Sequence, residues 1–231
     1  AGGKRLRPLL TLLAAQLGEG QRPEVLDAAV VVELTHLATL YHDDVMDSAP
    51  LRRGAPAAHE VWGNQVAILT GDLLFARASG IVAGLGPEAV RIQAATFERL
   101  CLGQLHETVG PAPGTDAVAH YIRVLADKTA SLIATSARFG AMFAGCPADV
   151  VATLVEYGEK VGVAFQLADD VIDLASDGAS TGKTPGTDLR EGVPTMPVLL
   201  LRARVAAADP DDTGAAAVRD RELLARLDGD L

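Results

Sequence analysis

Apolar residues recur along this chain at helical spacing, and the interruptions between the apolar runs predict its elements. Residues 4–17 read as a helix that opens on basic residues and breaks at Gly18-Glu19-Gly20-Gln21-Arg22. Pro23 suits the first turn of the next helix. Ala28 to Met46 is apolar on most sides, which predicts a central, buried helix. Ser48 to Ala57 reads as a loop, and residues 59–83 and 88–108 as two more helices, closed by Gly84 with Gly86 and by Gly110 to Gly114. Thr115 or Asp116 can cap a helix running to about Ala144. After the turn Gly145-Cys146-Pro147, residues 148–174 form a long helix, followed by a loop at 176–187. Helical patterns resume from Asp188 or Thr195, and a charged helix fills 215–227 after the loop Ala207 to Gly214. Period-two alternation is absent, so no strand is predicted. The expected fold class is all-α: one domain over residues 1–231, a single bundle of long antiparallel helices.

Two stretches of this pattern carry acids. Tyr41-His42-Asp43-Asp44-Val45-Met46-Asp47 places carboxylates at i, i+1 and i+4, and Asp169-Asp170-Val171-Ile172-Asp173 repeats the spacing 126 residues later. On a helix the outer pair lies on one face a turn apart, with the middle acid about 100° round. Both clusters close long apolar helices, the end where the macrodipole disfavours negative charge by a few tenths to about 1 kcal/mol per group. A bound cation between them resolves the conflict. Hard carboxylates, few in number and leaving positions open, suit Mg²⁺ completed by water and phosphate oxygens; zinc lacks its Cys/His set here.

Composition narrows the partners. Hydrophobic residues make up 49% but aromatics only 4%, so the apolar mass is small and aliphatic, as suits close-packed helices. A net charge of −10 argues against nucleic-acid binding and against attraction to anionic lipid heads. No stretch reaches eighteen uninterrupted apolar residues, so no transmembrane segment is expected. Cys101 and Cys146 read as reduced core thiols, and a cytoplasmic location is expected. The chain opens on Ala1 inside what reads as a motif and stops at Asp228-Gly229-Asp230-Leu231, so it is expected to be part of a longer protein lacking portions of both termini.

The basic residues supply the complement. Of 20 Lys and Arg only four are Lys, at 4, 128, 160 and 183, and three of these fall beside motifs. Lys4 and Arg7, at i and i+3, are expected on one helix face; Arg52 and Arg53 follow the first acidic cluster, Lys128-Thr129 sits mid-helix, and Lys183 lies in the loop after the second cluster. Arg forks grip phosphate bidentately and Lys adds a point charge, so acids and bases together fit a diphosphate–metal site. The segment Gly182 to Gly186 lacks the P-loop order, which disfavours a nucleotide hydrolase. His36 lies two turns before Asp43 on nearly the same face and could donate to a phosphate. Glu33-x-x-His36 also matches a di-iron ligand pattern, but no second copy accompanies it.

Gly2-Gly3-Lys4-x-x-Arg7-Pro8, His36, His42-Asp43-Asp44-x-x-Asp47, Leu51-Arg52-Arg53-Gly54, Gly71-Asp72, Lys128-Thr129, Phe165-Gln166-Leu167-x-Asp169-Asp170-x-x-Asp173 and Gly182-Lys183-x-x-Gly186-x-Asp188-Leu189 together resemble the trans-prenyl diphosphate synthases, or polyprenyl synthetases. The resemblance runs in order from residue 2 to about 198, with one departure at Val193, where many relatives carry Lys. It implies a helical bundle around a deep central cavity, usually a homodimer, that joins isopentenyl diphosphate head-to-tail to an allylic diphosphate. It implies that Asp43 and Asp47 hold two Mg²⁺ on the allylic diphosphate and Asp169 a third, with Asp170 and Asp173 supporting. Arg52, Lys128, Gln166 and Lys183 would grip the allylic diphosphate, with Thr129 beside Lys128; Lys4, Arg7, His36 and Arg53 would grip isopentenyl diphosphate.

A tail growing from that diphosphate should run down the helix from Asp43 toward its N-terminus, meeting Thr39 and Ala38 first. Family members that stop at short products commonly place bulky aromatics there. Both residues here are small and Phe75 is the one large candidate nearby, so a long product of six or more isoprene units is expected. The alternatives are a shorter-chain farnesyl or geranylgeranyl synthase, a terpene cyclase or head-to-head synthase of the same superfamily, and a non-catalytic partner subunit of a heteromeric synthase.

Overall fold

Helix boundaries follow the residues that can cap or break a helix. The computed structural model describes residues 4–52, 54–175, 186, 189 and 194–229. Helices α1 (Leu6–Ala15), α2 (Pro23–Met46), α3 (Ala58–Trp62), α4 (Asn64–Gly84), α5 (Pro87–Val109), α6 (Ala117–Leu125), α7 (Ser131–Phe143), α8 (Ala148–Ala175), α9 (Met196–Ala207) and α10 (Ala215–Gly229) dominate. Asp116 caps α6: its Oδ1 accepts from the Val118 and Ala119 amides at 2.9 and 3.2 Å. Such a cap contributes about 1 kcal/mol.

Five details differ from the sequence reading. The expected helix over 59–83 is two, because Gly63 has φ 82 and parts α3 from α4. The expected helix from 116 to 144 is interrupted by a π-helical turn at Ala126–Ala130. The loop after α2 contains a minimal antiparallel pair, β1 (Leu51–Arg52) and β2 (Ala55–Pro56). Lys4 and Arg7 do not share a helix face: α1 begins at Leu6, and Arg5 before it is left-handed at φ 46. The cysteines are not core thiols either, since Cys101 is exposed and Cys146 only half-buried.

The chain groups into two compact units, Ala1–Gln104 with Ala126–Gly162, and Leu105–Leu125 with Val163–Leu231. In the first, α2 packs against α1, α4 and α7. Ala28, Val31, Val32, Val82, Ala89, Ile92, Leu100, Leu132 and Phe139 form its core, as the apolar run over 28–46 led one to expect of α2. Phe139 is fully buried, the kind of site where truncation to Ala costs about 3–5 kcal/mol. In the second unit α9 packs against α6 and α10. Helix α4 is long and apolar enough, by length and composition, to cross a membrane. It carries Asp72 and Arg77 and packs on α2.

Candidate active site

The first acidic cluster sits in the last turn of α2. The helix closes with the Ala49 amide donating to the Asp44 carbonyl at 3.0 Å and the Ser48 amide to the Val45 carbonyl at 3.4 Å. That closure needs a left-handed residue, and Ser48 supplies it at φ 50, a position usually given to glycine. The three acids then divide as their spacing predicts. Asp44 is 4% exposed, and Arg52 from β1 folds back on it, with Nε donating to Oδ1 at 2.6 Å and Nη2 also in contact. Asp43 is half-buried and Asp47 exposed, one turn apart on the adjoining face.

The second cluster in α8 divides the same way. Asp170 is 2% exposed, while Asp169 and Asp173 are half-buried. Asp170 Oδ2 accepts from the Tyr121 hydroxyl at 2.7 Å and from the Met196 amide at 3.2 Å. Met196 is the first residue of α9, whose N-cap Thr195 makes no side-chain bond, so the carboxylate of α8 satisfies an orphan donor at the positive end of α9. In each cluster the middle aspartate is therefore the buried anchor, and the outer two are more exposed.

His42 secures the end of α2 from another side. Its Nε2 lies 3.1 Å from the Ile68 carbonyl and 3.2 Å from Asp72 Oδ1, both acceptors, so this nitrogen carries the proton. Gly71 makes room: a Cβ there would stand 2.3 Å from Nε2. Sequence reasoning gave His42 no role of its own and missed Tyr121; neither makes its contact within one helix, so no spacing announces it.

Among the basic candidates, Lys4 is exposed and Arg7 half-buried in the first turn of α1. His36 is half-buried on α2, and Lys128 and Thr129 stand in the π-helical turn. Such a bulge is common at functional sites. Gln166 is half-buried on α8, one turn before Asp170. Arg53 and Lys183 lie outside the described residues.

Ala38 is completely buried, whereas Thr39 is half-buried, its hydroxyl donating to the His36 carbonyl at 2.9 Å. Phe75 stacks on Phe97 with ring centroids 3.9 Å apart. Farther back along α2, Val32 and Thr35 line a void of about 10 Å³ with Gln93, Thr96, Leu132, Thr135 and Phe139. A polar seam crosses it: Gln93 Nε2 donates to Thr35 Oγ1 at 3.4 Å, and the Thr96 and Thr135 hydroxyls pair at 2.6 Å. An open cleft of about 570 Å³, lined by Arg138, Met142, Cys146, Ala148, Val151, Ala152 and Val155, includes no residue of either acidic cluster.

Among the described residues, no three His, Cys, Asp or Glu side chains converge as a closed metal cage. A pair of carboxylates per helix, with the third acid turned inward, fits Mg²⁺, which needs few protein oxygens and keeps sites for water and phosphate.

The family model described as polyprenyl synthetase matches residues 1–218. A nonaprenyl diphosphate synthase of Mycobacterium tuberculosis is 54% identical over 200 residues, covering 86% of this chain and 60% of the relative. Heptaprenyl diphosphate synthase component 2 of Geobacillus stearothermophilus is 40% identical over 218 residues, covering 91% and 68%. Among solved structures, geranylgeranyl pyrophosphate synthase from Corynebacterium glutamicum, complexed with calcium and isoprenyl diphosphate, matches with a TM-score of 0.80. It is 46% identical, and the match covers 97% of this chain and 65% of that one. The chain thus spans 60–68% of the length of these relatives.

Proposed function

This chain belongs to the polyprenyl synthetase family, and we propose from that premise that it serves in condensing isopentenyl diphosphate head-to-tail with an allylic diphosphate, releasing diphosphate and lengthening an all-trans chain. The observation that carries the reading is the shared division of the two acidic clusters: Asp44 and Asp170 are buried, and Asp43 with Asp47 and Asp169 with Asp173 form more exposed i, i+4 pairs. Asp43 and Asp47 are the residues to hold two Mg²⁺, and Asp169 with Asp173 the residues to hold a third. When bound, Mg²⁺ offsets the charge that builds on the departing diphosphate. The Corynebacterium structure, complexed with calcium and isoprenyl diphosphate, supports a divalent metal and a diphosphate as partners.

The remaining steps belong to the chain. Lys128, Arg52, Gln166 and Lys183 take the allylic diphosphate, with Thr129 beside Lys128, and stabilise it as the C–O bond ionises to an allylic cation and diphosphate. Lys4, Arg7, His36 and Arg53 take isopentenyl diphosphate and present its alkene to the cation. A new C–C bond forms, one proton leaves the adduct for the released diphosphate, and a new double bond closes the sequence. No protein nucleophile is needed. Asp44 and Asp170 act through position, Asp44 by holding Arg52 and the turn after α2. Asp43→Ala or Asp169→Ala should abolish turnover with the far-ultraviolet circular dichroism unchanged; retained Mg²⁺-dependent turnover in either variant contradicts the metal assignment.

The product is proposed to be long, six or more isoprene units, because Thr39 and Ala38 are small and lie back along α2 from Asp43. The relatives named nonaprenyl and heptaprenyl synthases support that length. A tail of that size reaches the level of Thr35, about 12 Å along the helix from Asp43. Ala38 has no free surface, and Phe there would overpack the core. Thr39→Phe is the cleaner probe: it should shorten the product, and an unchanged product distribution sinks the length argument. A homodimer is the proposed assembly, supported by the exposed stripe Val66, Leu69 and Leu73 on α4; Leu69→Glu should shift the mass seen by light scattering toward the monomer. A second reading, as one component of a heteromeric synthase, is supported by the likeness to heptaprenyl diphosphate synthase component 2.

A further inference from the structure

The π-helical turn that carries Lys128 and Thr129 is braced from two helices of the same unit. On α5, Arg99 Nε donates to Asp127 Oδ1 at 2.7 Å, and its Nη2 donates to the Ala126 carbonyl at 3.1 Å. The same guanidinium grips Glu159 of α8, Nη2 to Oε2 at 3.2 Å and Nη1 to Oε1. One turn along α5, Gly103 lets the turn approach so closely that a Cβ there would stand 2.5 Å from the Lys128 nitrogen. On α8, Gly162 does the same for Ala130, at 2.4 Å from its Cα. The Ser131 hydroxyl donates to the Asp127 carbonyl at 2.6 Å.

A π turn holds one residue more than a regular helix accommodates, so it survives where its surroundings fix it. Arg99 bonds both the side chain and the main chain of this turn, on the residues immediately before Lys128. Hydrogen bonding to Glu159 and then to Asp127 raises its pKa, against the opposing effect of burial, so its charge is permanent. The planar fork matters as well: a lysine could not reach Asp127, Ala126 and Glu159 together.

We propose that Arg99 is a positioning residue for the reaction, holding the π turn so that Lys128 meets the allylic diphosphate. This rests on the reading of Lys128 as a diphosphate-binding group. Arg99 itself touches no substrate; it acts through Asp127 and Ala126.

The test is a double-mutant cycle in the full-length protein, with Arg99→Met, Lys128→Ala and the pair. The readouts are kcat, KM for the allylic diphosphate, KM for isopentenyl diphosphate and inhibition by inorganic diphosphate with Mg²⁺. Arg99→Met should raise the allylic KM by about tenfold or more, a coupling of the size contacting residues show, and should leave the isopentenyl diphosphate KM nearly unchanged. Made on Lys128→Ala, the same substitution should change the allylic KM less than about twofold. Arg99→Lys should recover part of the loss. An equal loss with and without Lys128 overturns the proposal, as does an unchanged allylic KM in Arg99→Met. If Lys128→Ala alone leaves the allylic KM and diphosphate inhibition unchanged, the underlying reading of Lys128 fails first, which separates the two errors. Should Arg99→Met not fold, Glu159→Gln, which weakens the brace and spares the turn's own residues, runs the same cycle with the same decisive outcomes.

Discussion

Replacing Arg52 with Met isolates the anchor beneath the first acidic cluster. The Asp44 side chain is 6% exposed and meets the Arg52 guanidinium through Nε and Nη2. Met keeps much of the aliphatic stem and removes the charge, so a buried carboxylate loses its counter-ion. Breaking a fully buried pair this way costs about 3–5 kcal/mol. Here the Arg52 side chain is 38% exposed, and water takes up part of the electrostatic load, so the expected loss is about 1–3 kcal/mol. At roughly 2–4 °C per kcal/mol for a chain of this size, Tm should fall by about 2–12 °C. Adding Asp44→Asn removes the stranded charge, and the double variant should be more stable than Arg52→Met alone by about 1 kcal/mol. Calorimetry or urea unfolding reads both. A Tm for Arg52→Met within about 1 °C of the parent refutes the pairing. A double variant no better than Arg52→Met refutes the charge explanation.

Two further substitutions test the local geometry. Tyr121→Phe removes one of two donors, among the described residues, to the buried Asp170 carboxylate and should cost about 1.5–3 kcal/mol, read as urea-unfolding midpoint at constant slope; an unchanged midpoint denies the contact. Ser48→Gly relieves the left-handed residue after α2 and should raise Tm by roughly 2–4 °C, for about 1 kcal/mol of strain removed; a lowered Tm would mean that the hydroxyl makes a contact the backbone account omits.

Much of this architecture can be read in the sequence because it is local. Asp116 stands where a cap is needed, Pro23 opens α2, and the 3.6-residue period turns the middle aspartate of each cluster away from the outer two. Breaks that depend on a single residue are harder: Gly63 sits in a stretch whose apolar residues keep helical spacing, and its φ of 82 separates α3 from α4. The π turn leaves no periodic trace over five residues. Partners across long separations are invisible to spacing, which is why Arg99, with contacts 28 and 60 residues away, drew no attention. Arg52 was legible as a basic group after the acids, but not as the partner of Asp44, because the turn at Ser48 sets its direction.

Both acidic clusters are proposed to serve a metal-dependent chain elongation. Full-length protein incubated with Mg²⁺, isopentenyl diphosphate and a farnesyl or geranylgeranyl diphosphate primer, with the products resolved by chromatography, tests it most directly. The expected result is an all-trans product of six or more isoprene units that disappears when Mg²⁺ is chelated. No elongation under these conditions would contradict it and favour the partner-subunit reading, and a product ending at three or four units would keep the chemistry while rejecting the proposed length.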